Sequence, residues 1–108
     1  MLSTDTTVLT NLISTCFTLS ANLDLTPDQR QGFLVVGKQL RGTLVNLLSA
    51  KFKDGTQAVM DANQQLNQIN QQAAQLTKDL SNLDNVLNQI NGLVGVLDGL
   101  LKIAVAFV

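Results

Sequence analysis

Catalysis needs side chains that can exchange a proton near neutral pH, hold a metal or attack an electrophile. This chain supplies few of them. Its 108 residues include no His, Trp or Tyr and no Glu, so proton transfer would fall to scattered Asp and Lys. Ser and Thr are plentiful, but the imidazole that normally takes a hydroxyl proton is missing. The aspartates (Asp5, Asp24, Asp28, Asp54, Asp61, Asp79, Asp84 and Asp98) occur singly along the chain. No Cys/His set is present for zinc, and no Asp-x-Asp-x-Asp-Gly run for calcium. Di-metal sites in helical bundles use Glu and Glu-x-x-His, both absent here. No glycine-rich turn follows a strand pattern, so phosphate-loop and dinucleotide motifs are missing as well. The expectation is a protein without enzymatic activity, metal, cofactor or small-molecule substrate.

Two further features have reactive or charged groups. Cys16 is the single cysteine, so no disulfide can form within the chain. It falls on the apolar face of a helical pattern with no nearby cation to lower its pKa, and reads as a core residue. Arg30, Lys38, Arg41, Lys51 and Lys53 form a basic stretch with no acid between Gln29 and Asp54. Nucleic-acid binders are usually far more basic overall, and the net charge here is −1, so a solvated face is expected and no nucleic-acid partner. Arg41 projects among Leu34, Leu44, Val45 and Leu48, which makes it the candidate for an ion pair with a carboxylate at a helix–helix boundary.

The elements that would carry these residues are helical. Leu9, Leu12, Cys16, Leu19 and Leu23 recur at steps of three and four, predicting a first helix over about 5–20. Thr26-Pro27-Asp28-Gln29 has an N-cap, a proline at the first helical position and a capping-box partner three residues on. The second helix is expected from 27 to 53, with Phe33, Val36, Leu40, Leu44 and Leu47 as its stripe. Gly37 lies inside that stripe, where it permits close helix approach; Gly32 and Gly42 lie outside it, with no packing role expected. Asp54-Gly55 signals the next turn.

Beyond Thr56 a heptad is sustained through Val59, Ala62, Leu66, Ile69, Ala73, Leu76, Leu80, Leu83, Leu87, Ile90, Val94, Leu97, Leu101, Ala104 and Val108. The unbroken phase predicts one long helix over 56–106, which at 1.5 Å per residue would run about 75 Å. Ser81-Asn82-Leu83-Asp84 offers a second start signal. A break near 78–82 would instead give a four-helix up-down-up-down bundle. The fold class expected is therefore all-α, a single antiparallel helical bundle over 1–108 with coiled-coil-like packing and a long C-terminal helix.

The surface and the last quarter of the chain carry the functional expectation. Charged residues are only 14% of the chain, and from Gln57 to Asn91 fifteen of thirty-five residues are Asn or Gln. Contacts made by such an amide face would depend little on salt. Over Asp84–Val108 the polar stripe is narrow and the apolar arc spans about 200°, more than an ordinary surface helix presents. That arc must be covered. The interface expected is Leu83, Leu87, Ile90, Val94, Leu97, Leu101 and Val105, used for self-association into a homo-oligomer, a dimer in the first instance. The alternative is a membrane-active protein that shields its last helix in the soluble state. Asp5 sits where a secretory signal would carry positive charge, and no stretch of 18 apolar residues occurs. The cytoplasm is the expected compartment, with export lacking an N-terminal signal as the other route.

Overall fold

The computed structural model describes residues 4–53 and 55–107, so Asp54 and Val108, the last heptad position, lie outside the described residues. Four helices form: α1 (Thr6–Ser20), α2 (Pro27–Leu47), α3 (Gln57–Gln75) and α4 (Leu83–Lys102). Two short strands, β1 (Ala50–Lys51) and β2 (Ala106–Phe107), pair antiparallel with Ala50 opposite Phe107 and Lys51 opposite Ala106. The chain is an all-α antiparallel bundle.

Local chemistry sets the helix starts. Asp5 caps α1 by accepting from the Val8 amide at 3.3 Å. Thr26 Oγ1 accepts from the Gln29 amide and Gln29 Oε1 accepts from the Thr26 amide, so the capping box of α2 is complete. Leu25, just before the cap, is buried as a hydrophobic staple requires. Gly55 takes a φ of +78°, the left-handed conformation that glycine adopts freely.

Neighbours around the bundle run α1, α2, α4, α3. α1 packs on α2 and α3, and α4 packs on the same two helices. α2 and α4 end at the same pole, where the strands that follow them pair. Each hairpin is antiparallel, whereas α2 and α4 lie side by side in parallel. The link from α2 to α3 therefore crosses the pole diagonally, and Phe52 within it is 1% exposed. The resulting body measures 43 × 20 × 19 Å.

Three boundaries differ from those the spacing predicts. α2 stops at Leu47 rather than near Lys53, because Ala50 and Phe52 turn inward to seal the pole while β1 bonds to the tail. The single helix over 56–106 is not formed: α3 ends at Gln75, a 3-10 turn occupies Leu80–Asn82, and α4 ends at Lys102. The reason is burial. Folding back places Val86, Ile90, Leu93 and Leu97 out of water, each worth about 1.5–3 kcal/mol, which a straight rod would forgo. Leu23 belongs to the turn after α1, not its stripe, and is 83% exposed.

Gly32 also differs from expectation. A Cβ there would stand 2.8 Å from Leu87 Cδ2, the movable end of that side chain, so α4 approaches α2 closely at this position and Leu87 would have to shift to admit a methyl. Gly37 admits α1 as expected, with Cys16 Cβ and the Phe17 ring 3.3 Å from the Cβ position. Nothing approaches Gly42 within 4 Å.

Candidate functional site

The α4 seam comes first. Its positions divide into three groups. Leu83, Ile90 and Leu97 are buried in the core; Leu87, Val94 and Leu101 are half-buried against it; Val105 is 57% exposed. The core face also uses Val86, Leu93 and Leu100. In α3 the buried positions are Val59, Ala62, Leu66, Ile69 and Ala73, in strict three–four alternation. Leu76 and Leu83 continue that phase, but the next buried residue is Val86, not Leu87. The reversal between α3 and α4 absorbs the shift. A sequence pattern that keeps phase cannot reveal it, because α4 has apolar residues on both sides of the central row. One side meets α3 and the other meets α2.

Polar links fix α4 and α1 in place. Thr43 is 6% exposed, and its Oγ1 donates to Asp98 Oδ1 at 3.0 Å, tying α2 to α4. The Asp5 amide donates to Asn63 Oδ1 at 2.8 Å, tying the start of α1 to α3. Gln29 Nε2 reaches Asp84 Oδ1 at 3.5 Å at the opposite pole.

Arg41 lies at the α1–α2 boundary but is exposed, and its guanidinium stands 5.5 Å from the centroid of the Phe17 ring. The partner the structure gives it is an aromatic face, where a carboxylate was expected. A flat, weakly hydrated cation suits that surface. Of the other basic residues, Lys38, Lys51 and Lys53 are exposed and Arg30 is half-buried. Cys16 is fully enclosed, and burial pushes its thiol up to about 12. Asp79 accepts from the Ser81 amide at 3.0 Å, and bonds from Ser81 hold its carboxyl below the usual range.

Among the described residues no cavity opens, no group of three or more potential metal ligands gathers, and no helix is long and apolar enough to cross a membrane. What stands out is apolar surface at one pole. Val45 is 64% exposed, Leu48 66%, Met60 43%, Ile103 49% and Val105 57%. All five belong to the segments that end or begin where α2 and α4 terminate; only Leu23, Val35 and Val96 are comparably exposed elsewhere among the described residues. The strand pair lies at this pole too, and within the described residues neither strand has a second neighbour. The exposure of Leu48, Ile103 and Val105 was hidden from sequence reading because residues 48–53 and 103–107 continue helical spacing on paper. Comparison with protein-family models, with curated proteins and with solved structures returned no match.

Proposed function

We propose that this chain is a non-catalytic helical interaction module that associates with further copies of itself. The observation carrying this reading is the set of exposed apolar side chains Val45, Leu48, Met60, Ile103 and Val105 at the pole that holds the two-stranded pair. Exposed apolar side chains at one end of a bundle favour burial against a partner. A second copy is the occupant the chemistry favours. A contact of the pole with its own duplicate about a two-fold axis lets one surface serve both sides. The net charge of −1 leaves little repulsion between copies.

Sedimentation velocity over a wide concentration range tests the reading. The wild-type mass should rise with concentration and persist at high salt, since apolar contacts are unscreened. Leu48→Lys with Ile103→Lys should remove the pole-to-pole contact and lower the mass at each concentration while leaving the helical circular dichroism intact, because both side chains already face water. A wild-type protein that stays single-chain at every concentration would overturn it.

A further inference from the structure

The α3–α4 reversal is made from residues that do not require it. From Thr56 to Asn91 the sequence holds no Gly and no Pro, and no non-glycine residue described takes a positive φ. Leu76 is already in the right-handed helical region, with φ −62° and ψ −23°, and Leu83 is too, with φ −59° and ψ −49°. The amides of Leu76, Thr77, Lys78 and Asp79 still bond to carbonyls of the last turn of α3. Asp79 is the clear departure, extended at φ −147° and ψ 112°. Two side chains hold the turn locally: Thr77 Oγ1 donates to the Ala74 carbonyl, a bond a continuing helix can keep, and the Asp79 carboxylate accepts from the Ser81 amide, a bond it cannot. Rotation at Asp79, with minor adjustment through Asn82, would join α3 and α4 end to end.

The apolar pattern tolerates that change. Leu83, Ile90 and Leu97 lie on the seam that α3 begins and are also core residues of the closed hairpin. Leu87, Val94 and Leu101 continue the same seam and are half-buried as it stands. A straightened α3–α4 rod cannot cover α4 with its own chain, and it uncovers the faces of α2 and α3 on which α4 packs.

We propose that the protein forms a domain-swapped dimer in which α3 and α4 join into one helix and each α4 packs on α2 and α3 of a second copy. The exchange remakes every contact of α4 between chains, so its cost is confined to the hinge. The seam Leu83, Leu87, Ile90, Val94, Leu97 and Leu101 then becomes intermolecular, and the tail carries its strand pairing with it: the Val105 amide, which donates to the Lys51 carbonyl at 2.8 Å, finds that carbonyl on the partner. The inference rests on the self-association reading and adds a second contact between copies: the exchange re-forms the pole with the partner's tail and leaves Leu48 and Ile103 exposed, so the two contacts are separable.

Pulsed electron–electron distance measurement tests it directly. Spin labels at Gln64→Cys and Asn91→Cys occupy exposed positions on α3 and α4, while Cys16 stays buried and unlabelled. Doubly labelled chain is diluted into unlabelled chain, so each distance is within one molecule. The closed hairpin gives a short separation; a continuous helix gives about 40 Å across 27 residues. The long component should grow with total protein concentration. Asp79→Ala removes the turn's cap and installs the best helix former, and should lower the dimer dissociation constant by roughly tenfold or more. Three glycines inserted between Lys78 and Asp79 relax the turn and should abolish the long component. A dimer showing only the short distance, indifferent to both hinge variants, would overturn the swap and leave self-association standing. A single-chain mass in wild type and in Asp79→Ala at every concentration would overturn both.

Discussion

At the scale of single residues, Cys16 and Arg41 both take part in packing. Cys16 is enclosed, and its thiol titrates near 12 because a thiolate would be stranded without solvent or a cation. An acid whose pKa is raised by folding contributes stability below its unfolded value and loses it as pH rises through the folded value. From about pH 9 to about 12 the unfolded chain releases this proton while the folded chain keeps it. Wild type should therefore lose stability relative to Cys16→Ala across that window, by about 1.4 kcal/mol per pH unit at the steepest. Paired denaturant titrations read this directly, and parallel curves for the two proteins would contradict it. Iodoacetamide near neutral pH should modify Cys16 only on unfolding. Arg41 makes its contact with Phe17 at the surface, so Arg41→Ala should cost about 0.5–1 kcal/mol with little dependence on acidic neighbours. Both residues were placed on the right helices by spacing alone. Arg41's partner was not, because a helical wheel says which face a side chain leaves from but not which group across the boundary meets it.

At the scale of elements, the glycines separate propensity from packing. Gly42→Ala should stabilise α2 by about 0.5–1 kcal/mol, because nothing stands within 4 Å of the added carbon. Gly37→Ala should destabilise, since Cys16 Cβ and the Phe17 ring already sit 3.3 Å away. Gly32→Ala should fall between them, as the obstacle is the movable end of Leu87. Thermal unfolding of the three variants gives the order, and a stabilising Gly37→Ala would refute the close approach of α1. Thr26→Ala should cost about 1 kcal/mol by removing the capping box. The starts of α1 and α2 were legible because caps are local: Asp5, Thr26, Pro27 and Gln29 act within one turn. The end of α2 was not, because Ala50 and Phe52 answer to a tail more than 50 residues away. The break between α3 and α4 was legible only as an alternative. Leu80 and Leu83 keep the heptad in phase across Ser81 and Asn82, and the gain that bends the chain comes from distant contacts on α2.

For the molecule as a whole, the diagonal link and the strand pair close one pole, and that pole carries the exposed apolar side chains. Phe52 is the plug. Phe52→Ala should cost about 3–5 kcal/mol, and by loosening the pole it should also weaken association; a variant with unchanged stability would show that the pole is not packed as described. Breadth of apolar surface on α4 was plain from sequence, but its cover was not, since α2, α3 and a second chain satisfy the same arc equally well. Small-angle scattering with mass determination, across a dilution series, decides most directly between them. The most dilute sample should show one chain with a radius of gyration close to 14.0 Å and a longest dimension close to 43 Å, and rising concentration should double the mass and lengthen the particle toward the span of a continuous α3–α4 helix. A mass that remains single-chain throughout, or a single chain already extended to about 70 Å, would contradict it.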